Sequence, residues 1–140
     1  GDLLYSTLLK FGLARGSYQK HAEDGLILDN CRITNAVRCL PPENKPNGAE
    51  VKSCSPFLIS ELENMKNLKV LLALGGLAHG AILTVLEKQK SMFKFSHNAC
   101  HKLDNVMLIS SYHCSRYNTN TGRLTDQMFH DVFGNIISRL

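Results

Sequence analysis

A chain of 140 residues with 44% apolar and 20% charged residues is long enough to bury one core and suits a soluble globular domain. No apolar run reaches the length of a membrane span, and the start GDLLYSTLLKFGLARG lacks the basic region of a secretory signal. A formal charge of +4 admits nucleic acid as a partner without requiring it, and five cysteines fit cytoplasmic thiols or metal ligands better than a secreted disulfide framework.

Leu3, Leu4, Leu8 and Phe11 recur at helical spacing, and Gly12 and Gly16 close the pattern, so a helix is expected from Asp2 to about Ala14. SYQKHAEDG reads as a loop. LILDNCRITNAV is rich in apolar and β-branched residues and predicts a strand ending near Asn35 to Val37. Three prolines and a glycine make CLPPENKPNG a loop. Asn47 and Glu50 form a capping-box pattern ahead of a helix with Val51, Cys54, Leu58 and Leu62 on one face, kinked or split by Pro56. LKVLLAL has the continuous apolar character of a strand buried on both faces, and GGLAHGAILTVLEKQ is a tight turn into a helix. NVMLISSY is another strand. Thr125 caps a last helix, whose stripe runs through Met128, Phe129, Val132, Phe133, Ile136, Ile137 and Leu140, with Arg139 at its negative end.

Helices and strands therefore alternate, which predicts a three-layer α/β/α domain over residues 1–140 with a mostly parallel central sheet. Ligands of such sheets bind beyond the carboxyl ends of the strands. Thr34-Asn35, Leu74-Gly75-Gly76 and Tyr112-His113 are the strand ends here, so Asn35 and His113 are expected on one rim.

His113 is either a hydrogen-bond donor or general acid/base at a site, or an exposed histidine at a strand end. Asn35 either reads a planar ligand through its amide or forms a turn. Cys39 and Cys54 have fourteen residues between them and no CxxC partner, a spacing of two ordinary thiols; Cys31, Cys100 and Cys114 carry no assigned chemistry. LGGLAHG lacks the Walker lysine and the full dinucleotide fingerprint, and His97 with His101, four apart, lacks the adjacent Glu of a helical metal motif and reads equally as a loop. The richest segment is SSYHCSRYNTNTGRLT. Arg116 and Arg123 offer charge for phosphates, and Gly122 permits a close approach. Leu124 is an apolar wedge between bases, a staple for the last helix, or both.

ITNAVRCLPPENKP, then Cys54, then SYHCSRYNTNTGRLT together resemble the iron–sulfur uracil-DNA glycosylases, most closely the fifth family, also called type b. The resemblance runs the length of the chain with the two long motifs in order. It implies an α/β fold and excision of uracil, and in type b members of some other deaminated bases, from DNA. Carried over residue by residue, Asn35 matches the asparagine that contacts the flipped base, and His113 matches the histidine of the second active-site motif. Ser115, Arg116, Asn118, Gly122, Arg123 and Leu124 match the loop that enters DNA. Cys39 and Cys54 match two of four ligands of a [4Fe–4S] cluster.

The family's first motif, a strand with a GLAPA-type loop, is expected ahead of Gly1, with the other two cluster ligands and an acidic residue that positions water. The fold is thus expected to be incomplete at its N-terminus, and the cluster to belong to the full-length protein. Asn98 stands where the resemblance predicts a glycine. A monomer acting on DNA, without membrane contact, is the expected form; a truncated, inactive chain or a DNA-binding remnant is the alternative.

Overall fold

The computed structural model describes residues 2–16, 25–34 and 59–140. Two compact units emerge, one of residues 1–33 with 112–140 and one of residues 34–111.

In the first unit, helix α1 (Asp2–Lys10) stops four residues earlier than its apolar spacing suggests. Gly12 adopts a φ of 75°, which only glycine takes without strain. Its N–H bonds to the Leu9 carbonyl at 3.3 Å, and the Leu13 N–H reaches Leu8 at 2.9 Å. That pair of bonds closes the last turn as a Schellman motif. Ala14–Arg15 then forms β1, paired antiparallel with β2 (Ile27–Leu28).

The twelve-residue strand expected over LILDNCRITNAV is thus corrected to a two-residue pairing within the described residues. Asn30 turns to a φ of 57°, and Asp29 swings out to an ion pair with Arg15 at 3.1 Å. Apolar and β-branched content drew the expectation; a left-handed residue cannot continue an extended ladder.

The second unit holds a three-stranded sheet in the order β3 (Val70–Leu74), β5 (Val106–Ser111), β4 (Ala99–Leu103). β3 lies parallel to β5, in register from Val70 opposite Met107 to Leu74 opposite Ser111. β4 has no counterpart in the expected elements and runs antiparallel to β5. Only Asp104 and Asn105 separate them, and so short a turn can join only antiparallel neighbours. Asp104 takes the left-handed conformation of a tight hairpin, φ 53°. The sheet is therefore α/β and mixed.

Burial follows position in the sheet. Leu108, Ile109, Ser110 and Ser111 of the middle strand are buried, whereas in β3 only Ala73 is. The expectation that LKVLLAL is buried on both faces is corrected accordingly, because β3 pairs on one flank only among the described residues. Gly75, at a φ of 95°, turns the chain from β3 into α2 (Gly76–Val85), and its N–H bonds to the Ser111 carbonyl at 2.8 Å. Ala81, Ile82 and Leu83 of α2 join Ala73, Leu103 and Leu108 in the core of this unit.

After β5, Ser111 leads into a short helix α3 (Arg116–Asn120) and then α4 (Asp126–Ile137). The predicted stripe is present: Phe129, Val132, Phe133 and Ile136 are buried, and Phe11 packs on Phe133 with ring centres 5.9 Å apart. Thr125 caps α4 as expected, its hydroxyl accepting the Met128 N–H at 3.1 Å. The loop read over CLPPENKPNG and the first part of the capping-box helix lie outside the described residues; the end of that helix, residues 59–63, is described and is helical. No helix among the described residues is long and apolar enough to cross a membrane.

Candidate nucleic-acid interface

His113 follows the last residue of β5 by two positions, so the middle strand ends where the polar loop begins. The loop is built by its own side chains. Ser115 caps α3, its hydroxyl accepting the Asn118 N–H at 3.3 Å. The Asn118 amide donates to the carbonyl of His113 at 2.8 Å, and the Asn118 carbonyl accepts the Leu124 N–H at 3.1 Å. One asparagine thus ties the histidine's backbone to the far end of the loop. Thr119 and Thr121 bond back onto the Ser115 and Tyr117 carbonyls at 3.2 and 2.8 Å. Gly122, with φ 78°, makes the return turn.

What the loop leaves outward is specific. His113 is exposed, and its ring makes no hydrogen bond among the described residues. Arg116, Tyr117 and Arg123 are exposed as well, and the Arg123 guanidinium lies 6.0 Å from the centre of the Tyr112 ring, in reach of a cation–π contact. Cys114 is turned inward, and burial pushes its thiol pKa up, which keeps it a neutral packing group.

Leu124 is only 1% exposed. It cannot wedge between bases from that position, and this half of its reading is corrected. It stands immediately before the cap Thr125, with Phe129 at the fourth helical position, and both are buried. That is the placement of a hydrophobic staple. The apolar residue offered to solvent is Tyr117 instead, 72% exposed beside Arg116. Sequence reasoning passed over it because a tyrosine between polar neighbours carries no period; its place at the second position of a short capped helix was the available signal.

Asn35, Cys39 and Cys54 lie outside the described residues. Among the described residues no three of His, Cys, Asp and Glu come together to hold a metal ion. The described residues thus supply no ligand set for a cluster. His101, weighed with His97 as a metal pair, sits on β4 with Nε2 3.1 Å from the Lys94 carbonyl. Asn98, in place of the expected glycine, has a φ of 59°, a conformation asparagine tolerates better than most residues.

A family model for the uracil DNA glycosylase superfamily matches residues 1–136. The chain is 39% identical over 133 residues to a type-5 uracil-DNA glycosylase of Thermus thermophilus, covering 94% of this chain and 60% of that protein. It is 40% identical over 137 residues to a type-5 uracil-DNA glycosylase of Mycobacterium leprae, covering 95% and 59%. A type-4 uracil-DNA glycosylase of Pyrobaculum aerophilum is 31% identical over 90 residues. The chain spans about 60% of the length of the type-5 relatives from Thermus and Mycobacterium leprae. With the superfamily match extending over nearly all its residues, the chain belongs to the uracil-DNA glycosylase superfamily.

Proposed function

We propose that this chain supplies the DNA-entering loop and the second active-site motif of a repair glycosylase that rotates uracil out of DNA and hydrolyses its N-glycosidic bond. The observation that carries the proposal is the loop at 113–124, locked by Ser115 and Asn118 while His113, Arg116, Tyr117 and Arg123 are left outward.

A base inside a duplex is out of reach, and extruding it costs a few kcal/mol of stacking. Arg116 and Arg123 offset part of this through phosphates. Tyr117, not Leu124, fills or stacks against the vacated space. Cleavage then leaves negative charge on the departing uracil and positive charge on the sugar. A donor aimed at a uracil carbonyl oxygen stabilises that anion more than the neutral base. His113 is that donor. A neutral ring suffices if its proton is on the nitrogen facing the base. Preorganisation comes from Asn118, which holds the histidine's own carbonyl, so little rearrangement is left to the moment of reaction.

Asn35 completes the reading by pairing with the polar edge of uracil, which distinguishes it from cytosine. In the full-length protein a [4Fe–4S] cluster counts Cys39 and Cys54 among its ligands. The working form is a cytoplasmic monomer, with residues 1–140 in one domain.

The test is uracil release from a labelled oligonucleotide by this chain, read as alkali-labile strand cleavage. Product that is lost on His113→Ala supports the reading and shows that these residues suffice for the chemistry. DNA binding without product from a folded chain would instead favour a DNA-gripping portion whose chemistry needs residues beyond these.

A further inference from the structure

Between Glu87 and Asp104 the chain carries Lys88, Lys90, Lys94, His97, His101 and Lys102 and no carboxylate. Lys88 is neutralised by Asp104 at 3.0 Å. Lys90 and Lys94 are exposed and pair with no carboxylate among the described residues.

The backbone beneath them is pinned. The His79 Nε2 bonds to the Phe93 carbonyl at 2.5 Å, and the His101 Nε2 to that of Lys94 at 3.1 Å. The Phe93 ring meets His101 edge-on at 5.6 Å, and the Phe95 ring meets His79 at 5.5 Å. Phe93 and Phe95 are half-buried while Met92, Lys94 and Ser96 between and beside them are exposed. From Phe93 to Ser96 that alternation is the period of an extended chain, with one side anchored and the other presented, and the single 3₁₀ turn Lys90–Met92 leads into it with all three residues exposed. Among the described residues Met92, 70% exposed, is second only to Tyr117 of the large apolar side chains, and Lys90 and Lys94 stand two positions to either side of it. The Lys90 stem lies across α2 at Gly80, where a Cβ would touch it at 3.5 Å. The strip then runs to Asn98, whose N–H bonds to the Ser110 carbonyl at 2.6 Å.

A fixed row of cation, thioether, cation and hydroxyl is suited to a phosphodiester strand. Ammonium and hydroxyl groups take phosphate oxygens, and the apolar side chain lies against sugar or base. We propose that residues 90–96 form a second DNA-backbone contact, separate from the loop at 113–124. The identity of the nucleic acid rests on the glycosylase reading.

The test is binding of a fluorescent, uracil-free duplex across a salt series, by the whole chain and by Lys90→Gln/Lys94→Gln. Each phosphate contact contributes about 0.9 to the slope of log affinity against log salt, so the double variant is expected to lower its magnitude by about 1.8. Lys90→Arg/Lys94→Arg should retain the slope. Lys66→Gln/Lys69→Gln, which removes the same charge near the start of β3, should also leave it unchanged. A Lys90/Lys94 variant with the parent slope overturns the proposal, and so does an equal loss in the Lys66/Lys69 pair, which reports net charge alone. A wild-type chain without duplex affinity overturns both this contact and the reading it rests on. A lowered slope in a chain that releases no uracil keeps the contact and removes the glycosylase.

Discussion

Two histidines follow strands of the same sheet, and they do opposite things. His79, in the first turn of α2, is buried with both ring nitrogens engaged. A carbonyl can only accept, so Nε2 carries a proton and donates to Phe93, while Nδ1 shares a hydrogen bond with the Ser110 hydroxyl at 2.6 Å. His113 is exposed, with its backbone carbonyl held by Asn118 and its ring unengaged among the described residues. The difference lies in the accounting of hydrogen bonds: a ring whose two nitrogens are used inside the protein is a fastener, and a ring whose backbone alone is held can meet a ligand.

The largest expected effect tests the exposed ring. His113→Ala should cut uracil excision about 10²–10³-fold, the usual loss for one donor to a developing anion. Its melting temperature should stay at the wild-type value, because the ring contributes no internal hydrogen bond among the described residues. Single-turnover kinetics alongside thermal melts checks both halves; a large drop in melting temperature would make His113 a fastener like His79.

The reverse pattern is expected at the buried ring. His79→Ala strands the Ser110 hydroxyl and the Phe93 carbonyl, at about 1–3 kcal/mol for each group left buried without a partner. Denaturant unfolding should show that loss, with excision per folded molecule less affected than in His113→Ala.

Leu124 and Tyr117 repeat the contrast with apolar side chains. Truncating Leu124 to alanine should destabilise by about 2–5 kcal/mol, as buried leucines do. Tyr117→Ala should leave unfolding nearly unchanged and lower excision from duplex more than from single strands, where less stacking must be broken. Equal losses on the two substrates would count against stacking by Tyr117.

These pairs also show what a sequence can and cannot disclose. The stripe of α4 was legible in its helical period, and β5 in its unbroken apolar run. The two long motifs led to the family before any geometry did. β4 was not legible, because Ala-Cys-His-Lys-Leu has neither alternation nor β-branching and is a strand only through its hairpin to β5. Leu124 shows the limit for site residues: a leucine after Gly-Arg reads equally as tip or staple, and only its burial decides. His79 went unremarked for the same reason, since both of its partners, Ser110 and Phe93, are distant in the chain.

The smallest effect separates the two helix caps, Thr125 and Ser115, which make the same bond to the third residue onward. Loss of such a cap typically costs about 1 kcal/mol. In Thr125→Ala that cost falls on α4, which carries Phe129, Val132, Phe133 and Ile136 into the core, so it should lower the melting temperature by a few degrees. In Ser115→Ala it falls on the five-residue α3, which buries none of its residues and can fray without global unfolding. Melting should then hardly move, while amide exchange speeds up at Asn118 and excision declines as the His113 carbonyl loses its fixed partner. Equal melting shifts in the two variants would show that α3 is part of the cooperative core, and that the loop is fastened by more than its own side chains.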